Sequence, residues 1–253
     1  MMWKVAAIAG TISSSTFAMI HALNQRGYHV LLSSSEREIC LEKLQATGAM
    51  VEYMKCDTGN LDLQAWTDYI KNNLRRLDLF IYSARIPFGL QKELMHITSE
   101  MLQTEVFEQL HQCFFMCQGA SRLLLEMQRE GKAEGLSRMV IMTALPPDAR
   151  NNQIHKLYTD GITSIAAMFA NELADHLIPL FEISGGVCLD NVPVSKVNEY
   201  IQLIANGAVP MNRFCQPDDI VKCVMAIEGG LLDFSMGQKL YADGGHHIRW
   251  SKF

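Results

Sequence analysis

Long apolar runs are missing from this chain. Nowhere do about 18 or more apolar residues follow one another, so no segment reads as a membrane-crossing helix. A basic surplus is missing too: the formal net charge is −5, and a nucleic-acid partner would ordinarily be met by a basic patch or stripe. Cysteine pairing of a recognisable kind is also absent. The seven cysteines show no regular spacing and no C-x-x-C pair, which argues against a disulfide framework and for reduced, buried thiols in a cytoplasmic protein. Cys113 and Cys117 lie four apart on one predicted helix and read as core packing, because cysteine is among the most buried residue types. There is no internal repeat, low-complexity stretch or composition break. One domain over residues 1–253 is therefore the economical reading.

What is present is a chain with 49% hydrophobic and 19% charged residues, long enough to bury a sizeable core. The opening Met1-Met2-Trp3-Lys4 and the apolar run after it resemble a leader. Gly10 and a Ser/Thr loop follow at once, without a cleavage-type motif, so Val5–Ala9 reads as a buried first strand. Further strands are expected at His29–Leu32, Val51–Lys55, Leu79–Tyr82, Met139–Met142, Phe181–Ser184 and Lys239–Ala242. Helices are expected at Thr16–Arg26, Arg37–Thr47, Leu61–Arg75, Ser99–Arg129, Ile154–His176, Ser195–Asn206 and Pro217–Glu228. Short apolar runs alternating with amphipathic segments imply right-handed crossovers and a doubly wound parallel sheet. The expected fold is a three-layer α/β/α, Rossmann-type domain with about seven strands. The strands are apolar almost throughout, as strands covered on both faces must be.

The last fifth carries the most specific pattern: Pro217-Asp218-Asp219-Ile220, then Gly237-Gln238-Lys239-Leu240-Tyr241-Ala242-Asp243-Gly244-Gly245. It resembles the C-terminal signature of the short-chain dehydrogenase/reductase family. The similarity extends over roughly Val5 to Ile248. Ala9-Gly10 falls where the family's glycine-rich turn begins, Asp78-Leu79-Phe80-Ile81 on its fourth strand, and Gly161, Ala170 and Glu172-Leu173-Ala174 on its fifth helix. The tail Asp243-Gly244-Gly245-His246-His247-Ile248-Arg249 looks somewhat like the pteridine-reducing (dihydromonapterin reductase) branch. The resemblance implies an NADP or NAD cofactor, homo-dimers or homo-tetramers through the fourth and fifth helices, and pairing with an active relative as a further option. It implies no nucleic-acid or membrane partner. Phe107, Leu110, Phe114 and Met168 are the apolar candidates for that oligomer surface or for the core beneath it.

Residue by residue, the chemistry departs from the family. In the phosphate-binding turn Gly10-Thr11-Ile12-Ser13-Ser14-Ser15-Thr16, Ser14 and Thr16 replace the second and third glycines, whose missing side chains let backbone approach pyrophosphate and helix approach strand. A β-branched Thr16 is expected to crowd that packing, while Gly10, Ser13, Ser14 and Ser15 could bind phosphate at a helix N-terminus. Ser33-Ser34-Ser35 offers no ribose-binding acid, and Arg37 reads as a solvated residue. Asp57 matches the aspartate that contacts adenine. Ser83 and Arg85 stand in the N-N-A-G position, where arginine replaces glycine and could meet an anion. Gln109 aligns with the family's helix-four asparagine. The catalytic serine falls at Ala144, with Thr143 just before it.

For Y-x-x-x-K two registers compete. One puts Tyr158 at the tyrosine and Ile162 at the lysine; the preferred one puts His155 at the tyrosine and Thr159 at the lysine. Neither supplies a lysine. A phenol titrates near 10 and needs a neighbouring cation to ionise readily. The expectation is an oxidoreductase-like chain whose catalytic set is not intact, a pseudoenzyme serving as a binding or assembly module. The alternative is an NADP-dependent reductase of a small carbonyl or pterin, with His155 or Tyr158 as acid and Thr143 polarising the substrate. His246-His247 reads as a C-terminal loop without metal.

Overall fold

A computed structural model describes residues 3–34, 44, 48–56, 63–85, 94–132, 135–146 and 153–250. The expectations placed on Ser35, Arg37, most of the helix Arg37–Thr47 and Asp57 lie outside the described residues.

Seven strands form one parallel sheet in the order β3-β2-β1-β4-β5-β6-β7. They are β1 Lys4–Gly10, β2 Tyr28–Ser34, β3 Val51–Lys55, β4 Leu79–Ser83, β5 Arg138–Leu145, β6 Leu180–Gly186 and β7 Lys239–Ala242. The helices are α1 Ser14–Gln25, α2 Leu63–Tyr69, α3 Ser99–Leu102, α4 Glu108–Arg129, α5 Gln153–Ala174, α6 Val197–Ala205, α7 Pro217–Glu228 and α8 His246–Trp250. The strand order reverses direction at β1, between β2 and β4, which makes the topological switch point of a doubly wound sheet. Helix α8 corrects the expectation of a C-terminal loop. Its start is held by Asp243, whose carboxylate accepts from the Gly245 and His247 backbone N–H groups.

Strand alternation sorts the core into two layers. Ala7, Ala9, Phe80, Met139 and Ile141 pack under α2, α4 and α5 with Trp66, Cys113, Cys117 and Tyr158. Ala6, Ile8, Ile81, Val140 and Ile183 pack under α1 and α7 with Met19, Ile20, Leu23 and Val224. Fully burying one such aliphatic or aromatic side chain is worth about 1.5–3 kcal/mol. The lower end of β1 is tied to β4 by the buried Asp78, which accepts from Val5 N at 2.8 Å and from Arg76 Nε at 2.7 Å. Helices α4 and α5 approach closely because position 161 is glycine: a Cβ there would lie 2.8 Å from Leu110 Cδ2.

The long helix expected over Ser99–Arg129 is interrupted by a π-helical turn, Gln103–Phe107. A second π turn, Ile70–Leu74, closes α2. Such wide turns insert a residue into the helical ladder, which apolar periodicity does not register. Among the described residues, no helix is long and apolar enough to cross a membrane. Of the candidate oligomer residues, Phe107 and Met168 are exposed, whereas Leu110 and Phe114 pack partly against the α4–α5 core.

Candidate functional site

At the C-terminal edge of the sheet, the ends of β1, β4, β5 and β6 open onto a crevice. Its cavity of about 250 Å³ is lined by Thr11, Ser13, Ser15, Ser83, Arg85 and Ala144, among others. The crevice exists because two backbones nearly touch beneath it. Thr11 N donates to Ser83 O at 2.9 Å, and a Cβ at Gly10, where φ is +107°, would fall 2.2 Å from that same oxygen. Only glycine fits there.

The serine-rich turn is organised by its own side chains. Ser13 is the N-cap of α1; its Oγ accepts from Thr16 N at 3.3 Å, and Thr16 Oγ1 accepts from Ser13 N at 3.0 Å. This reciprocal capping box satisfies helix-end N–H groups from within the chain. The crowding expected of Thr16 is not found. The residue is fully buried, and its hydroxyl also donates to Thr11 O at 3.4 Å. A short hydroxyl side chain thus replaces glycine's space with a hydrogen-bonded filler. Ser14 and Ser15 occupy the first helical turn, and Ser15 Oγ lies 3.7 Å from Cys188 Sγ.

Ser13, Ser15, Ser83 and Arg85 are therefore brought together on the lining of one crevice, with Gly10 beneath it, whereas Ser14 in the first turn of α1 does not line it. Arg85 is the crevice's cation: half exposed and only loosely engaged by Glu105, at 3.9 Å, from the π turn Gln103–Phe107. The catalytic candidates are placed differently. Among the described residues, none of His155, Tyr158, Thr159 or Gln109 lines the cavity. His155 is 1% exposed; it sits in the first turn of α5, three residues before Tyr158, with ring centroids 6.4 Å apart. Tyr158 is 2% exposed, packed in the apolar cluster with Cys113. Among the described residues its hydroxyl has no hydrogen-bond partner. Burial pushes the phenol well above its ordinary range, the neighbouring Cys113 adds to this, and Arg85 opposes it weakly.

Thr159 Oγ1 turns back onto its own helix, donating to His155 O and Lys156 O, both at 3.1 Å. Gln109 is half-buried in the first turn of α4. Thr143 borders the crevice, yet its hydroxyl donates to Glu182 Oε1 at 3.3 Å. Glu182 is buried, and Lys239 Nζ at 2.7 Å and Thr163 Oγ1 at 3.1 Å converge on the same oxygen. The carboxylate thus occupies the one hydroxyl that could polarise a substrate from β5. Sequence reading missed this group, and it missed Cys188 and Cys215; each cluster joins positions tens of residues apart.

The fold and crevice define a doubly wound α/β protein with an open cavity at the switch point. A family model described as enoyl-(acyl carrier protein) reductase matches residues 10–247. The 3-oxoacyl-[acyl-carrier protein] reductase of Brucella melitensis in complex with NAD superimposes with a TM-score of 0.85 at 19% identity, over 97% of this chain and 98% of that one. A short-chain dehydrogenase of Leptospira borgpetersenii with bound NAD+ gives 0.79 at 18% identity, over 97% and 93%. A second Brucella melitensis reductase, the 3-ketoacyl-(acyl-carrier-protein) enzyme complexed with NADH, gives 0.80 at 16%, over 96% and 98%. No curated protein matches the sequence. The chain belongs to the short-chain dehydrogenase/reductase family.

Proposed function

We propose that this protein keeps the family's nucleotide crevice as a binding site but has little or no standard hydride-transfer activity, and acts as a binding or assembly module. The observation that carries this reading is the crevice wall. Ala144 borders the cavity where resemblance places the polarising serine, and no described side chain in the lining is a tyrosine, histidine or lysine. Loss of one positioned acid/base group typically slows a reaction by about 10² to 10⁴, equivalent to roughly 3–5 kcal/mol of barrier.

Support for a nicotinamide cofactor comes from the NAD and NADH complexes of the relatives and from the donors at the crevice. Thr11, Ser13, Ser15 and Arg85 would face its phosphates, and hydride is the chemistry that such a cofactor supplies. Among the described residues the lining offers binding and charge neutralisation but no tyrosine, histidine or lysine to give a proton. The choice between NAD and NADP is open to the same titration that tests the site. Fluorescence titration of the purified protein with NADH and NADPH should show saturable binding, weakened at least about tenfold in Arg85→Ala by loss of a charge-assisted contact. Absence of binding to both would defeat the nucleotide-site reading.

The exposed Phe107, in the π turn just before α4, and Met168 on α5 favour the family's homo-oligomer as the assembly, which sedimentation would show. Support for the pteridine-reducing branch is confined to the tail residues. The second reading, an NADP-dependent reductase of a small carbonyl or pterin, draws on Arg85 as a phosphate or substrate partner. It requires His155 or Tyr158 to reach the cavity, and turnover abolished by His155→Ala or Tyr158→Phe would establish it.

A further inference from the structure

Where the crevice meets the neighbouring cavity lies a pair of thiols that hydride chemistry does not use. Cys188 follows β6 and lines the cavity; Cys215 precedes α7 and lines the neighbouring one, on the other side of Gly186. The two residues form a parallel β-bridge, with Cys215 N donating to Val187 O at 3.2 Å. Paired strands bring opposed backbones to about 4.8 Å, inside the Cα separation of about 4.4–6.8 Å over which a disulfide closes. The two thiols lie near enough for each to perturb the other's ionisation. Their surroundings differ. Ser15 Oγ reaches Cys188 Sγ at 3.7 Å, whereas Cys215 can donate to Gln216 O at 3.5 Å and Ala242 O at 3.7 Å.

We propose that Cys188 and Cys215 form a dithiol site that exchanges with low-molecular-weight aliphatic disulfides, Cys188 as nucleophile and Cys215 as resolving thiol. In the first step the Cys188 thiolate attacks one sulfur of the disulfide R–S–S–R. A Cys188–S–S–R bond forms, the S–S bond of the reagent breaks, and RS⁻ leaves to take a proton. In the second, the Cys215 sulfur loses its proton and attacks Cys188 Sγ. The Cys188–Cys215 bond forms and the second R–SH leaves. Two electrons and two protons have passed from the dithiol to the reagent, which becomes two thiols.

The division of roles follows from the contacts. Hydrogen bonds from Cys215, and then from the Ser15 hydroxyl, hold the Cys188 thiol below its usual range against the opposing pull of burial. The same pairing, together with burial, pushes Cys215 up. The thiolate is the attacking form. This inference is independent of whether a nucleotide binds.

The test treats native full-length protein with cystamine at pH 7 and maps its disulfides by mass spectrometry under non-reducing conditions. A Cys188–Cys215 bond should form and reverse with dithiothreitol. Cys215→Ser should trap one cysteamine on Cys188, and Cys188→Ser should abolish both products. Iodoacetamide should alkylate Cys188 at least about tenfold faster than Cys215, in line with its greater thiolate fraction. Alanine variants, checked by circular dichroism, separate misfolding from lost chemistry, and the wild-type map stands without any variant. The proposal is overturned if no Cys188–Cys215 bond forms in folded protein, if it forms only in urea, or if the two serine variants behave alike.

Discussion

Replacing Tyr158 by phenylalanine separates a structural tyrosine from a catalytic one. The phenol is 2% exposed, its hydroxyl has no hydrogen-bond partner among the described residues, and its surroundings are Cys113 and the apolar α4–α5 layer. A buried polar group left unsatisfied costs about 1–3 kcal/mol. Tyr158→Phe removes that cost while keeping the ring, so the protein should gain about 1–2 kcal/mol. In a chain of this size each kcal/mol corresponds to roughly 2–4 °C in Tm. Urea denaturation, with the slope unchanged, and calorimetry would both register the gain. Binding of NADH and NADPH should stay within about twofold of wild type, since Tyr158 does not line the cavity. A loss of stability of about 1 kcal/mol or more would refute the reasoning, for it would mean that the hydroxyl is engaged.

Other predictions rest on separate observations. Gly10→Ala should destabilise by about 3 kcal/mol or more, because it adds a left-handed backbone penalty to a clash with Ser83 O; a loss under about 1 kcal/mol by urea denaturation would count against the close β1–β4 approach. Lys239→Met strands the buried Glu182 carboxylate and should cost about 3 kcal/mol, with Glu182→Gln/Lys239→Met recovering most of it; equal losses in both would deny the ion pair. The phenols of Tyr28, Tyr82 and Tyr158 are all raised, first by burial. Unfolded tyrosine ionises near 10, so the folded state retains protons that the unfolded state loses. Stability is therefore full below about pH 10 and falls above it, by up to about 1.4 kcal/mol per pH unit for each such tyrosine. Denaturation midpoints from pH 8 to 11 should show this fall, less steeply in Tyr158→Phe.

The fold was readable because its signals are local. Strands β3 and β7 and helix α7 begin and end where apolar runs and the Gln216-Pro217 start place them. Strand β5 runs three residues further than its apolar core suggests, through Thr143-Ala144-Leu145, since pairing with β6 continues as far as Gly186. Short helix α8 escaped notice because its cap is Asp243, read only as part of a glycine signature. The candidate site was half legible. The turn residues and Arg85 are adjacent to strand ends, and topology alone gathers strand ends at one edge. The burial of His155, the capture of Thr143 by Glu182 and the meeting of Cys188 with Cys215 depend on crossovers between distant segments. Spacing along the chain carries no trace of them.

The measurement that bears most directly on the account is absorbance-monitored oxidation of NADH and NADPH by the purified protein, with a small ketone, a 3-oxoacyl thioester and a dihydropterin as acceptors. A crevice bordered by Ala144, with Tyr158 and His155 absent from its lining, predicts nucleotide consumption at the uncatalysed rate with each acceptor. Steady turnover that disappears in His155→Ala or Tyr158→Phe would contradict it.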